Sequence, residues 1–358
     1  MRHCKKCLIP DQVPEVVLDA AGICNYCASG TQHADVENQA RQRRAFEADL
    51  EETLRNCRSL DRDYHCLVPF SGGKDSCLLL YKLKVEYGLK VLAFTVNINL
   101  PGIAYKNIKR TLEKLDIDHV SYSPSPSFLK ALFRHLLQNQ EERGAVYTVS
   151  YVYAPLFEGE AIKIALQKNI PLVLAGYSPG QPEPDRMLYE FSRKLITQTD
   201  WTPPELKKCG SFNDAQLEYF FNPLKYPRGT DFPRYLAPFH AWSYDQDQIM
   251  KQVVELGLVA TSAHASPIFS NYPINWLLMY SDLKNFGYNP YAPEFSALIR
   301  EGKASLTYWK IMAPFVDFMI RNKVLLGRNV SHSLKWLGLS ADQLHITLPR
   351  GAYDPVIL

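Results

Sequence analysis

HCLVPFSGGKDSCLLLY, residues 65–81, interrupts an apolar run with two glycines, a lysine, an aspartate and two serines. Leu67 to Phe70 is short, apolar and bounded by polar residues, as a buried strand should be. CLLLYKLKVEYG after it has helical length and stops at Gly88. SGGKDS therefore falls where a strand turns into a helix. That junction suits an anion: glycines let the backbone approach a ligand, the helix N-terminus offers unpaired N–H groups and the positive end of the dipole, and Lys74 adds charge. A plain surface turn has no need of Ser71, Lys74, Asp75 and Ser76 together.

The spacing is not that of a Walker loop, and no GxGxxG follows a strand. SGGKDS resembles instead the PP-loop of the ATP pyrophosphatases, SGGxDS, at all five fixed positions. The resemblance implies cleavage of ATP between its α and β phosphates, with Ser71, Gly72, Gly73, Asp75 and Ser76 around the pyrophosphate and Lys74 as neutralising charge. Lys74, Asp75 and Ser76 are the catalytic candidates. Ammonium, hydroxyl and N–H donors fixed around a departing pyrophosphate lower its barrier. Magnesium is expected to bridge the phosphates while keeping several waters, so no dedicated carboxylate cage is needed.

The length, 358 residues, suggests two domains or one large domain with appendages, at roughly 100–200 residues per domain. Net charge is +3 and is not gathered into basic blocks, so nothing electrostatic demands a nucleic acid partner. The opening MRHCKKCLIPD lacks an apolar core of signal-peptide length, and no run approaches the ~18–20 apolar residues of a membrane span. A cytoplasmic location is expected.

Eight cysteines in such a chain read as ligands or thiols rather than a disulfide framework. Cys4-Lys-Lys-Cys7, sixteen residues, then Cys24-Asn-Tyr-Cys27 fits a zinc spacing, each pair chelating one tetrahedral ion. An iron–sulfur cluster or a redox pair are the rival readings. Four thiolates leave no open position for substrate, so the expected role is structural.

The highly charged, proline-free stretch that follows reads as one or two exposed helices. Beyond the loop, residues 90–98 read as a strand, 104–115 as a helix, DHVSYS as a strand, 154–169 as a helix and IPLVLA as a strand. This alternation predicts an α/β fold: a parallel sheet with helices on both faces, with ligands at the carboxyl ends of the strands. Asn97, with Asn99, closes the second strand and is a candidate for the adenosine, the alternative being a pair of loop asparagines. Gly176, Tyr177 and Ser178 follow the fourth strand, where PP-loop enzymes carry a second glycine-bearing loop; a proline-rich exit turn is the alternative. The expected organisation is a zinc ribbon over 1–32, a helical linker over 33–62, a PP-loop domain over 63–200 and an α-rich region over 201–358.

HCKKCLIPD with GICNYC, YHCLVPFSGGKDSCLLLY and LDIDHVSYSPSPSFLKAL together resemble one PP-loop family in particular, the N-acetyl sugar amidotransferases of lipopolysaccharide O-antigen and pseudaminic or legionaminic acid biosynthesis. The resemblance covers much of residues 3–180 and implies an adenine nucleotide alpha hydrolase-like fold. The implied activity turns an acetamido group on a sugar, usually nucleotide-linked, into an acetamidino group. It also implies ammonia from a separate glutaminase with a barrel-shaped partner, free ammonia being another source. Tyr177 stands where that family tends to carry an acidic residue. The rival chemistry, sulfur transfer to tRNA, needs a reactive thiol, and Cys209 in KKCGSF is its one candidate in a cationic loop. A third reading is an ATP-holding scaffold without turnover, which an intact SGGKDS argues against. The aromatic segments SNYPIN and His240-Ala-Trp242 read as core or as stacking surfaces for a sugar or base.

Overall fold

The computed structural model describes residues 2–29, 33–98, 100–179, 187–266 and 272–354. Its strands are β1 (Cys66–Pro69), β2 (Val91–Val96), β3 (Asp118–Tyr122), β4 (Gln140–Glu141), β5 (Leu172–Leu174), β6 (Arg234–Leu236) and β7 (Ile346–Leu348). The longer helices are α1 (His33–Arg58), α2 (Lys74–Tyr81), α3 (Gly102–Leu115), α4 (Pro126–Gln138), α5 (Gly144–Gln167), α6 (Gln246–Glu255), α7 (Ile274–Phe286), α8 (Ala292–Arg300), α9 (Leu306–Asn322) and α10 (Arg328–Leu337).

Five strands form one parallel sheet in the order β3-β2-β1-β5-β6. VLAFTV of β2 is buried along its whole length, as a strand covered on both faces must be. Alternate residues divide the two faces. Cys66, Val68, Val91, Ala93 and Leu174 pack under α2 and α6, whereas Leu67, Leu92, Phe94 and Val173 pack against α5. Crossover α3 buries Ala104, Ile108, Thr111 and Leu115, which recur at helical spacing along one face. The expected α/β architecture is therefore present, with helices on both faces.

The chain runs from β1 outward to β2 and β3, then returns to place β5 on the other side of β1. This reversal opens a crevice between the carboxyl ends of β1 and β5, where doubly wound sheets bind ligands.

Helix α5 joins two cores. Ala145, Val149, Val152 and Leu156 belong to a helical core with α4, α7, α9 and α10, while Ala161, Ile162 and Ala165 lie on the sheet. Pro155 sits near the changeover. Asp282 of α7 caps the start of α5, accepting from the backbone N–H of Ala145 at 2.5 Å and of Val146 at 2.9 Å. Burial pushes that carboxyl up to about 7, although the two N–H donors pull the other way.

Several boundaries differ from the sequence reading. The charged stretch after the ribbon is a single helix, α1. The helix read as starting at residue 154 begins at Gly144. The fifth strand, Arg234–Leu236, lies in the stretch read as α-rich; its three residues stand between prolines in FPRYLAPF, so no run of alternation announces it. Arg234 fastens this edge, donating to Asp49 at 2.9 Å and Glu190 at 2.7 Å. Among the described residues, no helix is long and apolar enough to cross a membrane.

Candidate active site

SGGKDS occupies the junction that its sequence predicts. Lys74 is the first residue of α2, with Gly73 as N-cap. Gly72 has φ +75°, and a Cβ there would lie 2.5 Å from the carbonyl oxygen of Ala104, so both the turn and the packing of α3 exclude a side chain. Asn107 of α3 donates to the Gly72 carbonyl at 2.9 Å and holds the turn from behind. Ser71 Oγ accepts from the Gly73 N–H at 3.3 Å and stands 3.3 Å from Ser76 Oγ, which donates to the Gly73 carbonyl at 3.1 Å.

The loop faces a cavity of about 380 Å³ at the switch point. Ser71, Gly73, Lys74, Asp75 and Ser76 line it on one side and Gly176 and Tyr177 on another, with Tyr153, Phe157 and Glu158 arriving from the middle of α5. Gly176 is where the two loops meet: a Cβ on it would come within 3.1 Å of the Ser76 backbone. Tyr177 donates to Glu158 Oε1 at 2.5 Å, so a carboxylate reaches this loop from α5. Asn97 ends β2 with its backbone N–H on the Tyr122 carbonyl, 2.8 Å away, and is not among the residues lining the cavity; Asn99 lies outside the described residues.

Lys74 is 7% exposed, and its Nζ donates to Asp75 Oδ2 at 2.6 Å and to the Tyr244 hydroxyl at 3.1 Å. Burial disfavours its charge, but the Asp75 carboxylate and the Tyr244 oxygen outweigh it and hold its pKa above the ordinary lysine value. The other oxygen of Asp75, Oδ1, is buried with no hydrogen-bond partner. An orphaned carboxylate oxygen at the mouth of a helix N-terminus is fitted for a hydrated cation that arrives with phosphates. Backbone, hydroxyl, ammonium and carboxylate groups thus converge on one space, an arrangement able to hold a polyphosphate and its counter-ion.

The cysteine quartet forms a separate centre. Bridges between His3 and Pro10 and between Leu18 and Cys24 make two small hairpins. They gather Cys4, Cys7, Cys24 and Cys27 so that their sulfurs all lie within 4.8 Å of one another. Cys7 Sγ and Cys24 Sγ are 3.6 Å apart. A tetrahedral ion with bonds of about 2.3 Å sets its ligands roughly 3.8 Å apart, so one ion fits, whereas a cubane cluster would need them spread wider. Burial works against a thiolate, yet backbone N–H groups of Cys24, Lys6 and Cys7 hold Cys4 down to about 6. Arg300, at the end of α8, donates to Cys7 Sγ at 3.5 Å.

Sequence reasoning missed Tyr244, Tyr153, Glu158 and Tyr235, all contributed by distant segments with no motif of their own. Trp242 is core: it stacks on Tyr87 at 5.8 Å with Lys82 over its ring. Of SNYPIN, Tyr272 lines the crevice, while Ser270 and Asn271 lie outside the described residues. Cys209 donates to the Leu206 carbonyl at 3.4 Å and packs on the helical core.

No family model matches the chain. It is 42% identical over 65 residues to a probable sulfurtransferase of Methanocaldococcus jannaschii, covering 15% of this chain and 19% of that protein. It is 31% identical over 78 residues to an argininosuccinate synthase of Natronomonas pharaonis, covering 22% of this chain and 20% of that protein. The support is for the PP-loop ATP pyrophosphatase superfamily. The chain spans about a fifth of the length of these curated relatives. Among solved structures it resembles an NMN synthetase from Francisella tularensis, 13% identical over 87% of this chain and 97% of that one, with a TM-score of 0.34. It also resembles a U34-tRNA thiolase from Methanococcus maripaludis with its [4Fe-4S] cluster, 14% identical over 97% and 90% of the two chains, with a TM-score of 0.30. An NH3-dependent NAD synthetase from Campylobacter jejuni is 13% identical over 80% and 94%, with a TM-score of 0.35. At such scores these overlays carry no argument about function.

Proposed function

We propose that this chain is an ATP-dependent amidotransferase acting on an acetamido sugar in surface polysaccharide biosynthesis. The amide oxygen attacks the α-phosphorus of ATP and releases pyrophosphate; ammonia then adds to the activated carbon, and AMP departs to leave an acetamidino group. The observation that carries the choice of nitrogen over sulfur is the thiol-free crevice: all eight cysteines are described, and none lines it. Cys77, the nearest in sequence, is buried with Thr111 donating to its sulfur at 3.4 Å, and burial pushes the thiol up to about 12. Transfer of sulfur to tRNA, the second reading, would need a sulfur donor brought wholly from outside, and a net charge of +3 gives tRNA little to hold.

Ser71, Gly73 and Ser76 would bind the pyrophosphate through hydroxyl and backbone donors, with Lys74 balancing charge as it develops. Asp75 would hold a phosphate-bound magnesium ion, which neutralises the leaving group. Gly176 and Tyr177 would close on the nucleotide. The four thiolates would hold zinc, fixing the ribbon. The acetamido sugar, and ammonia from a glutaminase and its barrel-shaped partner, rest on the resemblance of the quoted segments.

The test is to incubate the protein with ATP, magnesium and ammonium, with and without acetamido nucleotide sugars, and to separate the nucleotides by chromatography. AMP and pyrophosphate that depend on both sugar and ammonium support the reading. AMP formed only with tRNA and a sulfur donor moves the protein to the thiolases, and ADP overturns the nucleotide chemistry itself.

A further inference from the structure

Behind Lys74 and Tyr244 lies a second, smaller cavity of about 150 Å³. It shares the Lys74 side chain with the nucleotide crevice and is otherwise built mostly from the C-terminal region. We propose that this chamber is the acceptor site, and that it takes the uncharged, amide-bearing end of a polyol ring, with Gln246 and Glu294 as its polar contacts. The proposal rests on the amidotransfer reading for the identity of the acceptor, but the chamber's chemistry can be argued without it.

Among the described residues, two polar groups in the chamber have no protein partner. Gln246, at the start of α6, is 6% exposed, and among the described residues its side-chain amide makes no hydrogen bond. The amide opens onto the chamber, so a ligand that presents both a donor and an acceptor would be bound there. Glu294, in the first turn of α8, likewise forms no hydrogen bond or ion pair among the described residues. A carboxyl so placed can accept from an N–H or O–H of a ligand. Burial pushes it up to about 7, against the pull of Lys74, so it is poorly suited to stand as a lone charge.

Much of the remaining wall is aromatic or aliphatic, with Trp276, Met279, Phe295, Trp309 and Val316 among its residues. Phe295 and Trp309 stack with centroids 3.7 Å apart, and Trp276 and Trp309 are each 3% exposed. Aromatic faces of this kind pack against the C–H face of a sugar ring. Charge sets a limit on what enters. Lys74 is the one cation among the lining residues, and its ammonium already serves Asp75 and, in the proposed reaction, the nucleotide's phosphates, so a second phosphate inside the chamber would be left unneutralised beside Glu294. If the acceptor is nucleotide-linked, the diphosphate therefore stays outside and only the sugar end enters.

The test uses the full, metal-loaded chain with ATP, and titrates N-acetylglucosamine, glucose and glucosamine while following saturation-transfer NMR and tryptophan fluorescence. N-acetylglucosamine should bind at least tenfold more tightly than glucose or glucosamine and should quench fluorescence. Gln246→Ala should remove most of that preference, and Glu294→Ala should weaken binding severalfold. ATP affinity should stay within twofold in both variants, which also shows that they fold; Gln246→Asn serves if the alanine variant does not. Equal binding of the three sugars, binding indifferent to both substitutions, or no binding up to the solubility limit would each overturn the proposal. The two readings fail separately. Gln246-dependent binding of N-acetylglucosamine with no AMP formed from any acetamido nucleotide sugar would remove amidotransfer and keep the chamber, whereas amidotransfer with an unchanged acceptor KM in Gln246→Ala would do the reverse.

Discussion

The crevice and the chamber share Lys74 and differ in almost everything else. One side of the crevice is framed by consecutive residues, because phosphate is recognised by backbone N–H groups at one helix end, and only a local run of small residues can present them. The chamber is assembled from side chains on α6, α7, α8 and α9. A phosphate site can therefore be specified by a motif, while an acceptor site of this kind exists only once the fold has formed.

Substitutions that act on one cavity and spare the other sharpen this contrast. The largest effect is expected from Asp75→Asn, which keeps the side chain's shape but removes the carboxylate that holds Lys74 and whose Oδ1 has no partner among the described residues. Pyrophosphate release should fall by about 10²–10³-fold, the scale of losing one preorganised electrostatic group, with N-acetylglucosamine binding unchanged. A variant with full activity would end the assignment of the PP-loop as the catalytic centre.

A second, smaller effect is thermodynamic. Burial raises the Glu294 carboxyl from 4.5 to about 7, with Lys74 opposing and Asp75 adding to the rise. The folded state then holds a proton that the unfolded state has lost, so this group's contribution falls as pH climbs from about 4.5 to about 7. Glu294→Gln cannot ionise. Its stability relative to the native chain, from urea unfolding, should improve by about 1–3 kcal/mol across that window and level off above it. A gap independent of pH would mean that Glu294 is solvated in the folded protein.

Gly176→Ala should have the mildest effect. Its Cβ would press on the Ser76 backbone from 3.1 Å, forcing the loops apart. Overpacking of this sort costs about 1–3 kcal/mol, and here the lower end is expected because a loop can yield. The KM for ATP should rise up to about tenfold while acceptor binding holds, the equivalent of about 1.4 kcal/mol. If acceptor binding weakened equally, the two cavities would be one site.

The sequence disclosed the sheet and its loop because their signals are local: apolar runs in LVPF and VLAFTV, and the break at SGGKDS. The cysteine quartet was legible for the same reason. Arg234–Leu236 was not, since its strand character comes from pairing with β5 rather than from its own three residues. Asn97 was chosen for its position at a strand end; Phe94 and Val96 of that strand do line the crevice, while Asn97 itself does not. Gln246, Tyr244 and Glu294 carry no local signal at all; each is an ordinary polar residue until the helices set it beside Lys74.

Helix α5 has one end in the helical core and the other on the sheet, and Tyr153, Phe157 and Glu158, near its middle, line the crevice. In mechanical terms it is a beam clamped at both ends and loaded at midspan. Any rotation of the helical region against the sheet has to bend or slide this beam where it borders the crevice. Pro155, which leaves one hydrogen bond of the helix unmade at that point, puts the compliance beside the crevice rather than at either clamp.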